Sequence, residues 1–184
     1  MNSTNDAKEM ISILEQSFDI KDFTTPKKNE ISIVVDQNNV PTILTYLKDK
    51  GWKQLSLVTC IDWIEENKFE LAYVLFNWTN GITFLVKTKI DRKNPEYISI
   101  IDIFPGARYY ERDIHEFFGV KFEGNSDFEK PLFLELWDDK PPMRKDFDPL
   151  EYSKRKFPDR KYDVELSKNA VKEVIKEGEI NERT

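Results

Sequence analysis

The chain has 184 residues, 39% of them hydrophobic and 13% aromatic, which is enough to bury one sizeable core. A net charge of −6 argues against nucleic acid as a general partner, and no apolar run approaches the length of a bilayer span. The opening "MNSTNDAKEM" lacks the basic and apolar regions of a signal peptide, and one cysteine cannot make an internal disulfide, so a cytosolic chain is expected. The charged fraction, 34%, fits a heat-adapted source and an ordinary soluble surface equally.

Met10, Ile13, Leu14 and Phe18 recur at helical spacing and predict an amphipathic helix over 4–18. "EISIVV" (30–35) reads as a strand. Asn38 or Asn39 can then cap a helix with Pro41 in its first turn, Ile43, Leu44 and Leu47 on its apolar stripe, and Gly51 at its end. Three strands follow. In the first, Leu55, Leu57, Thr59, Ile61 and Trp63 share a face, and Cys60 reads as an inert buried thiol. The second, "KFELAYVLFNW", is apolar on nearly both faces and suits an interior position. The third puts Ile82, Phe84, Val86 and Ile90 on one face. "EENK" and the Asn80-Gly81 turn join them into an antiparallel meander over 53–90.

"YISIIDIF" (97–104) is predicted as a further strand, ended by Pro105 and Gly106. Tyr110, Ile114, Phe117 and Phe118 then fall on one side of a helix that Gly119 stops, and "VKFEG" continues extended. The fold class read from this order is α/β (α+β), with a mixed, largely antiparallel sheet and helices packed on it. Residues 111–139 hold nine acids and three bases, whereas 140–161 hold eight bases, four acids and four prolines. Proline fixes φ and removes a donor, so the second stretch reads as an extended basic arm lying on a surface. The expected division is an α/β domain at 1–130 and an arm with tail at 131–184. The tail includes a short helix capped by Ser167.

Chemistry-bearing motifs are sparse. His115-Glu116 begins an H-E-x-x-H pattern, but Gly119 stands where the second histidine belongs. One Cys cannot supply a four-thiolate cluster, and neither glycine-rich nucleotide motif occurs. His115 is expected to sit beside Glu111, one turn back, as an ordinary surface pair. No catalytic residue, cofactor site or metal site is assigned to the chain.

The stretch "ERDIHEFFGVKFEG" resembles the signature of the hydrophilic 30 kDa subunit of respiratory complex I: Glu-Arg-acid, two variable residues, an acid, two large apolar residues, then Gly and a short strand. Glu111, Arg112, Asp113, Glu116, Phe117, Phe118 and Gly119 match in order, and His115 falls on a variable position. "IIDIFPGARYY" matches upstream. Downstream, Pro142, Met143, Arg144, Lys145, Asp146 and Phe147 resemble the family's Pro-apolar-Arg-Lys-Asp-Phe motif. Asn125 stands where the family usually carries His, and the link to the second motif is compact. The family also occurs in membrane-bound [NiFe] hydrogenases, their sulfur-reducing cousins and archaeal proton pumps.

The resemblance implies a cofactor-free subunit of a peripheral arm on the cytosolic side of a membrane complex. Its implied partners are a hydrogenase-like large subunit and a small iron–sulfur subunit. These carry the iron–sulfur clusters, and in hydrogenases NiFe, and they provide the only link to the membrane. The two motifs are then interface or buttress residues, with Arg144 expected to pair with an acid on the large subunit or on the chain's own Glu111/Asp113/Glu116 helix. Two other readings stand beside this one. A stand-alone enzyme using Glu111, Asp113 or Glu116 as acid–base groups needs an accessible pocket. A regulatory module would purify without membrane subunits.

Overall fold

The computed structural model describes residues 13–14 and 16–159. The chain divides into two compact units after Phe147, so that 131–147, expected to belong to the arm, lie in the first unit. Residues 13, 14, 16 and 17 are helical. Phe18, the last residue of the expected first helix, is a bend, and the remaining residues of that helix and the Ser167 helix lie outside the described residues.

The first unit is built on a five-stranded sheet ordered β1-β2-β5-β4-β3, from β1 (Ile20–Lys27), β2 (Glu30–Val35), β3 (Gln54–Trp63), β4 (Lys68–Asn77) and β5 (Ile82–Asp91). The meander β3-β4-β5 is antiparallel as expected, β2 pairs with β5 in parallel, and β1 closes the far edge antiparallel to β2. β1 was not expected from sequence. "IKDFTTPK" is polar and carries Pro26, which an edge strand tolerates because the missing N–H need not face a neighbour. Its only apolar members, Ile20 and Phe23, are half-buried.

Helix α1 (Val40–Asp49) follows a short 3₁₀ turn at Gln37–Asn39. Asp36 caps that turn by accepting from the Asn38 N–H, and Asn39 stands at the N-cap of α1 as expected, without a side-chain capping bond. Gly51 follows the helix at φ +107°, a conformation only glycine adopts cheaply. α1 buries Val40, Ile43, Leu44 and Leu47 against Ile31, Ile33, Phe84 and Val86. α2 (Ala107–Phe118) adds Ala107, Ile114 and Phe118 to the same core. Both helices therefore lie on one sheet face. Each fully buried Leu, Ile or Phe there contributes about 1.5–3 kcal/mol.

β3 sends Val58, Cys60 and Asp62 inward, while Leu57, Ile61 and Trp63 stay exposed on the open face. An alternation read as apolar-versus-polar thus runs opposite to the burial. The inversion holds because the inward Asp62 is satisfied by an ion pair. The expected strand at 97–104 shortens to β6 (Glu96–Ile98), paired in parallel with β7 (Lys121–Glu123). It ends there because the Ile100 N–H is taken by the Glu111 carboxylate and the Ile100 carbonyl receives Ile103 and Phe104. In the second unit, Pro149–Lys156 form α3. Asp148 accepts from Leu150 and Glu151, and Pro149 sits in the first turn, where a missing N–H costs nothing.

Cys60 is a free, buried thiol whose pKa is pushed up by burial and by Asp62. The Tyr73 hydroxyl is fully buried and has no hydrogen-bond partner among the described residues. An unpaired buried hydroxyl carries a desolvation cost with nothing to offset it. Tyr73→Phe is therefore expected to leave stability unchanged or raise it by up to about 1 kcal/mol. Urea unfolding monitored by circular dichroism checks this, and a clear loss of stability would mean the hydroxyl has a partner after all.

Candidate functional site: the signature helix and its strap

Glu111, Arg112 and Glu116 of the first motif reach backbone, and each end of α2 fastens a different segment. Glu111 lies on the buried stripe, one turn from Ala107 and Ile114, and is only 1% exposed. Its Oε1 accepts from the Ile100 N–H at 2.9 Å, and its Oε2 accepts from Ser99 Oγ at 2.7 Å and Asn125 Nδ2 at 2.8 Å. Burial pushes the Glu111 carboxyl up, opposed by those three donors. The folded chain holds that proton more tightly than the unfolded chain. This group's contribution to stability is therefore full below the ordinary 4.5 and declines as pH rises through the folded value. Asn125 is itself buried and keeps a donor on Glu111.

Arg112 and Glu116 could have formed an exposed pair one turn apart. Instead both hold residues 130–134. Arg112 donates from Nε to the Lys130 carbonyl (3.1 Å) and from Nη2 to the Pro131 carbonyl (2.9 Å). Glu116 accepts from three successive amides, Leu132 (2.9 Å), Phe133 (2.9 and 3.1 Å) and Leu134 (2.7 Å). Charged groups on backbone dipoles make stronger bonds than neutral pairs. Phe118 packs edge-on against Phe69 in the core, and Phe117 meets Phe133 with ring centroids 6.2 Å apart. Asp113 has no partner among the described residues, and burial, aided by Glu116, pushes its carboxyl up.

His115 does not pair with Glu111. Its Nδ1 donates to the Val120 carbonyl at 2.9 Å, and its ring stands edge-on to Phe128. Glu111 points the other way because its three donors lie inside the fold. Gly119 ends the helix at φ +81°, and a Cβ there would stand 3.3 Å from Pro141 Cγ and 3.7 Å from Arg144 Nη1. The glycine thus serves two needs, the left-handed turn and the close passage of the second motif.

The second motif is bolted to the sheet by a charge cluster that sequence reading missed. Arg92, just after β5, forks onto Asp62 at 2.7 and 3.0 Å, with both side chains at most 10% exposed. Arg92 also meets Asp146, and the Lys145 N–H donates to Asp62 Oδ2 at 2.8 Å. Arg144 does not reach Glu111, Asp113 or Glu116. It lies over the Phe69 ring at 5.1 Å, donates to the Phe118 and Arg92 carbonyls, and sits 3.6 Å from Asp146. Those three carboxylates lie out of its reach because Met143 N–H binds the Phe117 carbonyl and seats the strap, residues 130–147, at the helix C-terminus. Lys145 Nζ extends toward Glu65 and Trp63, Phe147 packs on Trp137, and Pro142 is half-buried beside them. The sequence signal for Asp62 and Arg92 was an acid on an apolar face and an arginine after a strand, which is too weak without the fold.

Chemically, the arrangement is a clamp. A groove beside α2 is lined by His115, Glu116, Phe128 and Pro141, yet its carboxylate is engaged by three amides. Glu111, likewise engaged, is closed to solute by its burial, and Asp113, whose carboxyl burial pushes up, does not line that groove. No group of three or more His, Cys, Asp or Glu side chains among the described residues is placed to hold a metal.

Comparison with known proteins agrees with this layout. Residues 33–153 match the family described as the 30 kDa subunit of respiratory-chain NADH dehydrogenase. The chain is 32% identical over 117 residues to the corresponding NADH-quinone oxidoreductase subunit of Moorella thermoacetica, covering 63% of this chain and 78% of that one. It is 29% identical over 123 residues to the same subunit of Roseiflexus sp. (strain RS-1), covering 65% and 70%. Among solved structures, a chain of the membrane-bound sulfane sulfur reductase, an archaeal respiratory membrane complex, superposes with a TM-score of 0.76 at 32% identity. That match covers 86% of this chain and 97% of the other. The chain belongs to this 30 kDa family of complex-I-like respiratory complexes. None of the described helices is long and apolar enough to cross a membrane.

The cluster makes a pH prediction. Burial raises the Asp62 carboxyl, but Arg92, the Lys145 amide and Arg144 outweigh it and hold it below the ordinary 3.8. Between the folded value and 3.8 the native chain binds fewer protons than the unfolded chain, so this stabilisation is present above that window and lost as pH falls through it. Asp62→Asn should flatten that part of the acid-unfolding curve. It should also cost about 3 kcal/mol at neutral pH, the low end for a broken buried pair, because Asp146 still faces Arg92. Acid titration followed by circular dichroism measures both. For the clamp at the other end, Glu116→Gln should speed amide exchange at Leu132–Leu134 by about tenfold, the loss of one or more charge-assisted bonds. Unchanged exchange there would remove Glu116 from the clamp.

Proposed function

We propose that this chain is a cofactor-free structural subunit in the peripheral arm of a complex-I-like, membrane-bound oxidoreductase. In this reading it docks onto a hydrogenase-like large subunit, neighbours a small iron–sulfur subunit, and stands on the cytoplasmic side. It contacts the membrane only through its partners, and the iron–sulfur clusters, with NiFe in a hydrogenase-type enzyme, reside in those partners. The observation that carries the reading is the use made of the signature. Glu111, Arg112 and Glu116 hold the chain's own backbone, and the strap that Arg112, Glu116 and the Phe117 carbonyl fix displays Phe133, Leu136 and Met143 at 69%, 92% and 59% exposure. Apolar side chains held outward on an immobilised strap are the makings of a binding surface. The likeness to a chain of a membrane-bound sulfane sulfur reductase supports an enzyme of that broader group as well as an NADH–quinone enzyme.

Purification of the tagged full-length chain from detergent-solubilised membranes tests this reading. The large subunit and iron-containing subunits are expected to come with it, whereas the chain expressed alone should hold less than one-tenth of an iron or zinc per molecule, the level of trace contamination. Recovery of a bare chain from membranes, or one tightly held metal per isolated chain, would overturn the reading.

A further inference from the structure

Helix α2 presents three carboxylates, and two are fully engaged. Glu111 and Glu116 each accept from three donors. Asp113 accepts from none among the described residues and makes no ion pair. It is only partly exposed, so it carries a burial cost with no bond to offset it. Its surroundings narrow down what could complete it. Tyr109, Asp113 and Phe117 are one helical turn apart and so share a face. Tyr109 is 60% exposed, and Phe133, the ring that meets Phe117, is 69% exposed. Met143, whose N–H binds the Phe117 carbonyl, is 59% exposed at the end of this row. Asp113, without a partner among the described residues, therefore stands among exposed aromatic surfaces.

We propose that the Tyr109–Asp113–Phe117–Phe133 face is the socket for an arginine side chain of the partner subunit onto which this chain docks. The proposal rests on the docking reading given above and adds the contact chemistry. A guanidinium is planar and always charged, it can fork onto one carboxylate while lying on an aromatic ring, and it loses less hydration than an ammonium. A lysine would satisfy the charge but not the flanking rings. Aromatic and arginine pairs of this kind commonly dominate interface energetics. Burying Asp113 against that cation converts a cost of the free chain into a bond of the assembled one. The arrangement thus favours assembly at the expense of the isolated subunit's stability.

The experiment uses the full-length chain in its complex. Tagged wild type, Asp113→Asn, Asp113→Arg, Tyr109→Ala and a control, Asp49→Arg on the exposed side of α1, are purified from membranes at low and high salt. The large subunit is identified by mass spectrometry and quantified. Asp113→Asn and Tyr109→Ala should retain about tenfold less of it, Asp113→Arg none, and Asp49→Arg the wild-type amount. In the isolated chain, Asp113→Asn should have a urea midpoint equal to or above wild type, which a merely structural carboxylate would not give. Phenylglyoxal should fail to modify one partner arginine in the wild-type complex and should modify it in the Asp113→Asn preparation. Wild-type retention by Asp113→Arg, a lowered midpoint for Asp113→Asn, or no protected arginine would each overturn the socket while leaving docking intact. Self-association of the isolated chain that Asp113→Asn abolishes would assign the face to a second copy and overturn the proposal too. Failure of the wild type itself to bring the large subunit would instead sink the docking reading, and the socket with it.

Discussion

Asp62 points inward from the edge strand β3 with its side chain 1% exposed, and a carboxylate so placed is tolerated only with a full set of partners. Arg92 supplies two bonds and the Lys145 amide a third. That third bond ties a residue far along the chain to the sheet. Met143 is fixed to the Phe117 carbonyl, Asp146 to Arg92, and Arg144 to Phe69 and two carbonyls. The strap's path across the end of α2 follows from satisfying one buried charge. Gly119 is required because that path comes within van der Waals distance of the helix terminus.

The three carboxylates of α2 have the same chemistry and three different fates. Glu111 is buried and saturated, so it fixes the Ser99–Ile100 corner and ends β6. Glu116 lies nearer solvent and gathers the amides of 132–134, and with Arg112 it shapes the first half of the strap. Asp113 is left over. A helix turns 100° per residue, so positions 111, 113 and 116 face different neighbours, and environment rather than residue type decides the role of each.

This division of labour suits the structural role proposed for the chain. A surface that recognises a large partner must hold its contact groups still before the partner arrives, or the ordering cost reduces affinity. Here ionic and charge-assisted bonds hold the strap backbone from beneath while Phe133, Leu136 and Met143 remain outward. The open sheet face, with Leu57, Ile61 and Trp63 exposed, is a second apolar area on the same unit.

Much was legible in the residues alone. The meander followed from alternating runs joined at Asn80-Gly81, α1 from its apolar stripe, and the end of α2 from Gly119, because these signals act between residues close in sequence. The two motifs fall on α2 and on the segment that the Met143 N–H fastens to its C-terminal end. Only the tertiary structure decided what those segments do. Nothing local tells Arg112 that it faces the Lys130 and Pro131 carbonyls rather than Glu116, or that Arg144 lies on Phe69 and out of reach of the signature acids. The same holds for the inverted face of β3, where a buried Asp62 is allowed by an arginine thirty residues away. Side-chain spacing along one element determines which groups share a face. Which of them lose water, and what replaces that water, is set by contacts between elements distant in sequence.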